Sequence, residues 1–212
     1  MRYGVFHRWI LVALCVLSVG SLGWPARTRA QTLGGITGTV TGIVGGTTTV
    51  LGGTGTLAPG SLDSLYNEAD SISTSLVSAD VPSARVIGYA DEIASDSYLA
   101  SVNLSIAGIA ITADSAEAAA RAALDGTSKD GTSYISNLSI DGVAIPIDGT
   151  VNQTVSIPGG QLVINEQQVL SDGTLVVNAL HATVSGVADA AVASAQAGAS
   201  GGNASAAQAT TY

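Results

Sequence analysis

Residues 159–184 of this 212-residue chain read GGQLVINEQQVLSDGTLVVNALHATV, the longest segment whose local pattern points to a single structure. Its two halves, 161–170 and 174–184, are rich in Val, Leu and Ile with partial period-two alternation, which is typical of β-strands. Asp172 and Gly173 lie between them, and this dipeptide favours a two-residue type I′ turn because such a turn needs positive φ angles. The stretch therefore predicts a β-hairpin on which the rest of the chain packs.

The predicted turn also determines which side chains meet across the hairpin. In the register that a two-residue turn imposes, Glu166 lies opposite Ala179 and is a diagonal neighbour of His181 on the same face. Asn165 and Asn178 are expected on the other face. A carboxylate beside an imidazole is half of a hydrolytic site, but no nucleophile accompanies this pair in the sequence. Glu166 and His181 are therefore weak functional candidates, and a structural contact is the simpler interpretation.

The first 30 residues have the features of a secretory signal peptide. Basic residues near the start precede the apolar run 9–19, and the small residue Ala30 ends the segment. The apolar run is shorter than the roughly 20 residues that a transmembrane helix needs. We expect cleavage near Ala30, an extracellular or cell-surface location, and no membrane-spanning segment in the mature chain.

Removal of residues 1–30 changes the charge and the chemistry that remain. Cys15, the single cysteine, leaves with that segment, so disulfides and thiolate metal sites are not expected. Residues 31–212 then contain three basic residues, Arg85, Arg121 and Lys129, and all 16 acidic residues, which gives a formal charge of −13. The electrostatic field of such a charge repels nucleic acid. The sequence also has no phosphate-binding or dinucleotide-binding glycine motif, so no cofactor is expected.

Residues 31–60 form an uncharged segment rich in Gly and Thr. We expect a flexible spacer, because such a composition offers little apolar surface to offset the ordering entropy. Glycines at every fourth position also suit a self-associating or membrane-inserting helix, and a loosely held pair of strands is the third alternative. In 61–83, apolar residues at helical spacing over 61–78 predict a short amphipathic helix before Pro82.

The predicted β-domain covers 84–198 and contains an internal repeat. NLSIAGIAITAD at 103–114 matches NLSIDGVAIPID at 137–148 at 8 of 12 positions, and both copies read as a hairpin around a glycine. Between the copies, 115–124 has helical propensity but also alternates like a strand, and we favour the strand. Asp-Gly pairs mark the turns of an antiparallel meander, and 199–212 has the composition of a disordered tail.

A group of short motifs within 84–198 resembles the bacterial choice-of-anchor P family. These motifs are VNLSI at 102–106, ITAD at 111–114, PGG at 158–160, LVINEQ at 162–167, VNALH at 177–181 and VASA at 192–195. The resemblance implies an exported surface domain with no established activity. It also implies a component of the cell envelope or of the extracellular matrix.

The acidic turn at Asp91, Glu92 and Asp96 is a weak candidate for a Ca²⁺ site, because hard cations prefer several oxygen ligands. The sequence lacks the regular acidic loop of a calcium-binding hand, so a solvated turn is the simpler interpretation. No metal and no catalytic residue is therefore assigned.

We expect an all-β fold, an antiparallel sandwich built from hairpins, with a single-sheet solenoid as the alternative. We expect a non-enzymatic structural or adhesive surface domain, with possible self-association through 31–60. A secreted hydrolase or a carbohydrate-binding domain that uses the Glu166 and His181 face is the alternative. Few aromatic residues are available as sugar platforms, which favours the first function.

Overall fold

The computed structural model describes residues 36–42 and 47–198, with side chains from residue 50 onward. The predicted signal peptide 1–30 and the predicted tail 199–212 lie outside the described residues. The described residues form fourteen β-strands and no helix. The strands are β1 Ile36–Gly42, β2 Thr47–Val50, β3 Ser64–Glu68, β4 Ser71–Ser73, β5 Val77–Gly88, β6 Glu92–Ile106, β7 Ile109–Ala123, β8 Lys129–Ser136, β9 Ser139–Ile140, β10 Val143–Ala144, β11 Gln153–Ile157, β12 Gly160–Val169, β13 Leu175–Val184 and β14 Ala188–Ala197.

Two antiparallel sheets pack face to face as a sandwich. Sheet A has the order β11-β12-β13-β14-β1-β2, and sheet B has the order β10-β9-β7-β6-β5-β3, with β4 pairing with β5 and β8 pairing with β7. Neighbouring strands are mostly consecutive in sequence, as expected for a fold built from hairpins. The predicted all-β sandwich is confirmed, and the described residues do not form a solenoid.

The apolar core between the sheets is built from Ala, Val, Leu and Ile side chains, and a few small polar groups are buried with it, such as Ser95, whose hydroxyl donates to the Gln196 carbonyl of the other sheet at 2.8 Å. Its largest fully buried members are Leu99, Leu104, Ile106, Ile111, Leu162, Ile164, Leu180, Val77, Val86, Val102 and Val177. Alanine-rich strands let the sheets approach closely where β7 faces β14. The sheets are also close where β8 faces β13, because a Cβ added at Gly131 would lie 2.7 Å from a Val177 methyl group.

The segment 115–124 is a strand from Ser115 to Ala123, at the end of β7, as predicted. Ala116, Ala118, Ala120 and Ala122 are all 1% exposed or less, and the residues between them point outward. Helical propensity is worth only a few tenths of a kcal/mol per residue, so pairing on both sides with β6 and β8 overrides it.

The internal repeat corresponds to two hairpins with the same turn, as predicted. β6 and β7 are joined by Ala107 and Gly108, with φ of 54° and 82°. β9 and β10 are joined by Asp141 and Gly142, with φ of 49° and 78°. Two consecutive positive φ values identify type I′ turns. The copies are neighbours, since β9 pairs with β7.

Two predictions for the N-terminal part are wrong. The helix expected over 61–78 is replaced by β3 and β4, which both pair with β5. Ser, Thr and Asp are frequent in that segment and are poor helix formers, so sheet pairing satisfies its backbone instead. The described part of 31–60 contains β1 and β2, which pair with each other, so the pair of strands named as the third alternative is present in place of the favoured spacer. Strand β1 also pairs with β14. The folded sheets therefore begin well before residue 84.

Each sheet contains a line where the alternation of side chains inverts. In sheet A, Asn165 and Ala193 have φ of 52° and 51°, and consecutive residues Ala179 and Leu180 of the strand between them are both 0% exposed. In sheet B, Ser101 has a φ of 50°, and both Leu99 and Val102 are buried. A single residue in the left-handed region exchanges the two faces of a strand beyond it.

Candidate functional site

The turn between β12 and β13 is one residue longer than predicted. The Gly173 amide donates to the Leu170 carbonyl at 2.9 Å, and the Leu170 amide donates to the Thr174 carbonyl at 2.8 Å. Gly173 has a φ of 85°, whereas Asp172 has no positive φ. This is the three-residue loop in which a glycine in the left-handed region follows a tight turn. The predicted type I′ turn at Asp172 and Gly173 is therefore wrong.

The longer turn shifts the pairing of the hairpin by one residue. His181 lies opposite Val163, and Glu166 lies opposite Asn178. A one-residue shift alone would place Glu166 and His181 on opposite faces. The inversion at Asn165 brings them back to the same outer face of sheet A.

His181 bridges two carboxylates on this face. Its Nδ1 lies 2.8 Å from a Glu166 carboxylate oxygen, and its Nε2 lies 2.7 Å from Asp189 Oδ1. The side-chain amide of Asn178 donates to Glu166 Oε2 at 2.6 Å. The His181 and Glu166 side chains are only 22% and 23% exposed. We call these four residues, Glu166, Asn178, His181 and Asp189, the imidazole cluster.

The placement of the asparagines differs from the prediction. Asn178 was expected on the face opposite Glu166, but it shares the face of Glu166 and binds its carboxylate. Its own Oδ1 is buried without a hydrogen-bond partner. Asn165 binds backbone, since its side-chain amide donates to the Thr150 carbonyl at 3.4 Å.

The pKa of His181 is raised from 6.5 to about 10. Burial of the imidazole opposes protonation, but the hydrogen bonds to Asp189 and Glu166 and the two negative charges outweigh it. Burial likewise opposes ionisation of Glu166, but the hydrogen bond and charge of His181 and the Asn178 amide lower the pKa of this carboxyl. At neutral pH the cluster contains a protonated imidazolium that donates from both nitrogens.

An imidazolium held in this way is a poor general base. A catalytic imidazole needs one nitrogen free to accept a proton from a nucleophile or from water. Both nitrogens of His181 already contact carboxylates, and no hydroxyl within 47–198 hydrogen-bonds to the ring. The contact between Glu166 and His181 is present as predicted, and its geometry is that of a structural ion network.

Asp189 is the member of the cluster that sequence reasoning missed. It lies opposite Thr183 across the β13–β14 hairpin, while His181 lies opposite Ala191. The two residues are therefore diagonal neighbours, eight positions apart in the sequence. Extending the pairing argument from the predicted β12–β13 hairpin to the next one would have identified Asp189.

The structure separates the acidic residues of the weak Ca²⁺ candidate. Asp96 pairs with Arg85, its direct cross-strand neighbour, at 2.9 Å. Glu92 pairs with Arg121 at 3.4 Å. Asp91 lies in the β5–β6 turn, where its carbonyl accepts from the Leu124 amide at 2.8 Å. Among the residues that the structure describes, no group of three or more His, Cys, Asp or Glu side chains is placed to hold a metal ion.

Comparison with protein-family models, with curated proteins and with solved structures finds no match to this chain. The described part of the chain contains no helix that is long and apolar enough to cross a membrane.

Proposed function

We propose that this protein is a non-enzymatic structural or adhesive domain that acts outside the cell or in the cell envelope. The observation that carries the proposal is the imidazole cluster. Its histidine holds two carboxylates with both nitrogens, which stabilises a sheet face and leaves neither nitrogen free to act as a general base.

The sequence supports the proposed location. Residues 1–30 have the pattern of an export signal, and the motifs within 84–198 resemble the choice-of-anchor P family of surface domains. The composition suits a protein that must stay folded outside the cell without disulfides. Two sheets with an aliphatic core supply stability from packing alone.

The alternative is a hydrolase or a sugar-binding site on the Glu166 and His181 face. The 2.8 Å contact between the carboxylate and the imidazole favours it. The second carboxylate, Asp189, argues against it, because it occupies the nitrogen that a hydrolase would leave for its nucleophile. We therefore favour the structural role.

Fractionation of the native host tests the location. We expect the protein in the medium or the envelope fraction, with an N-terminus at Gln31 established by intact mass. Recovery in the cytoplasm with residues 1–30 still attached would contradict the proposal.

Turnover assays test the absence of catalysis. Chromogenic ester, glycoside and peptide substrates should be hydrolysed no faster by the purified protein than by its His181→Gln variant. A hydrolytic rate that disappears in that variant, while its circular dichroism spectrum is unchanged, would establish the alternative instead.

A further inference from the structure

All the aromatic side chains of the described residues lie on the surface. Tyr66, Tyr89, Tyr98 and Tyr134 are between 38% and 63% exposed, and no aromatic side chain is among the buried residues of the described part of the chain. An exposed tyrosine presents an apolar ring and a polar hydroxyl to solvent. Where several of them share one face, their rings offer a surface to another molecule.

Two of these tyrosines belong to one row across the outer face of sheet B. Tyr98 of β6 and Tyr134 of β8 both lie directly opposite Glu117 of β7. Ser83 of β5 lies opposite Tyr98, and Glu68 of β3 lies opposite Ser83. Directly opposite residues share a face, so the row crosses five strands on the solvent side. We call it the tyrosine row.

A second row, two residues further along the strands, adds the third tyrosine. Tyr66 of β3 lies opposite Arg85, which lies opposite Asp96. Ala119 and Thr132 continue this row on β7 and β8. Their small side chains leave the face open beside Tyr98 and Tyr134.

The spacing of the two tyrosines on the tyrosine row suits an extended polymer. Tyr98 and Tyr134 are separated by two strand spacings, about 9.5 Å. That distance is close to the length of two pyranose rings in an extended polysaccharide. Adjacent strands rotate by about 20–25°, so the platform twists by about 45° between the two rings. Such a platform fits a single chain that twists along its length better than a flat crystalline surface.

Polar groups with free hydrogen-bonding capacity lie between the rings. Within residues 47–198 the Glu117 carboxylate and the hydroxyls of Tyr98 and Tyr134 have no hydrogen-bond partner. A carboxylate that accepts from sugar hydroxyls, between rings that cover the C–H faces of the sugars, is a suitable arrangement for a carbohydrate. A protein partner would instead require an apolar centre, and the residues between these tyrosines are small or charged.

The charge of the face restricts the ligand. On these two rows, Glu68, Glu117 and Asp96 outnumber the one cation, Arg85, which is paired with Asp96. The other arginine of this face, Arg121, is paired with Glu92. The whole chain carries a formal charge of −9. Anionic polysaccharides would be repelled, which favours a neutral polysaccharide over an acidic one.

We propose that the outer face of sheet B binds a single chain of a neutral linear polysaccharide, which stacks on Tyr98 and Tyr134 and hydrogen-bonds to Glu117. This inference deepens the proposed adhesive function and rests on it, because such polymers are found outside cells. It uses the sheet opposite the imidazole cluster. Aromatic residues are few in the sequence, but the sheet places two of them on one row, and two rings are enough for a single chain.

Isothermal titration of the full chain with cellohexaose, xylohexaose and chitohexaose tests the inference. We expect at least one hexasaccharide to bind, with little change in affinity between low and high salt, because the ligand is uncharged. Tyr98→Ala and Tyr134→Ala should each weaken binding at least about tenfold, as truncation of a central aromatic contact does. Tyr89→Ala, which lies outside both rows, and His181→Gln, on sheet A, are the matched controls and should bind like the unaltered chain.

Three results would overturn the inference. The first is no binding of any of the three hexasaccharides. The second is binding that survives the combined Tyr98→Ala and Tyr134→Ala change. The third is a dimer, or a salt-sensitive complex with oligolysine, that the same double change abolishes, since the face would then belong to a protein. These measurements use purified protein, so their outcome does not depend on the fractionation experiment. A surface protein that binds no sugar would reject this inference alone. A cytoplasmic protein that binds sugar would reject the proposed function alone.

Discussion

The Glu166 carboxylate contacts the His181 imidazole at 2.8 Å, although the β12–β13 pairing places neither residue opposite the other. Two departures from a regular hairpin produce this contact. The three-residue loop shifts the register by one residue, and the positive φ of Asn165 then inverts the faces of β12. Their effects on the face of Glu166 cancel, so a pair predicted from a regular hairpin is present in an irregular one.

The imidazole cluster predicts a specific dependence of stability on pH. The pKa of His181 is raised from 6.5 to about 10, so its contribution is complete below 6.5 and is lost as pH rises through about 10. The pKa of Glu166 is lowered from 4.5, so its contribution is present above 4.5 and is lost as pH falls below it. The cluster should therefore stabilise the fold most between 4.5 and 6.5.

Urea denaturation at several pH values measures this dependence. The free energy of unfolding should fall between pH 6.5 and about 10, and His181→Gln should remove most of that fall. An equal fall in the variant would mean that general charge repulsion, and not His181, is responsible.

Removal of His181 should also destabilise the protein at neutral pH. His181→Gln leaves Glu166 and Asp189 as two partly buried carboxylates without their cation, and we expect a loss of about 3 kcal/mol. Asp96→Asn is the matched control, because it breaks an exposed pair with Arg85 and should cost less than about 1 kcal/mol. Equal losses for the two variants would contradict a special role for the imidazole cluster.

Gly160, the first residue of β12, and Gly186, in the turn between β13 and β14, should differ strongly in the stability lost on substitution by alanine. A Cβ at Gly160 would lie 1.8 Å from the Thr183 carbonyl oxygen, so the paired backbones must separate, at a cost of about 3 kcal/mol or more. Gly186 has a φ of 71° and open space around it, so Gly186→Ala should cost only about 1 kcal/mol. Thermal denaturation of the two variants gives the ranking. The reverse order would show that β12 and β13 do not pair as described here.

Val81 is a site where a substitution should stabilise the protein. It is an exposed β-branched residue with a φ of 46°, a conformation that such residues rarely adopt. Val81→Asn should raise the free energy of unfolding by about 1 kcal/mol, because Asn tolerates the left-handed region and keeps the backbone hydrogen bond to Asp70. Val187→Asn is the control: Val187 is similarly exposed but has no positive φ, so no gain is expected. An equal rise in the free energy of unfolding at both positions would mean that the more polar side chain, and not the relief of backbone strain, is responsible.

The sandwich could be predicted from local patterns, whereas its N-terminal strands could not. Alternation identified 115–123 as a strand, and the repeated NLSI segments identified two hairpins with the same turn. The Gly/Thr-rich segment gave no such signal, because its residues are small and uncharged. Its strand β1 forms through pairing with β14, about 150 residues away, where Ile36 lies opposite Ser194.

The candidate site shows the same division between local and long-range information. Local sequence patterns were sufficient to predict the hairpin at 159–184 and the proximity of Glu166 to His181, because period-two alternation and turn residues act over a few neighbouring positions. Asp189 could have been found by extending the pairing argument to the β13–β14 hairpin, whereas the loop length and the inversion at Asn165 could not be predicted from local patterns. Both features depend on how sheet A packs against sheet B, for example where the Gln167 side chain donates to the Gly131 carbonyl at 2.8 Å. Contacts between residues so far apart in the chain produce no periodic pattern in the sequence.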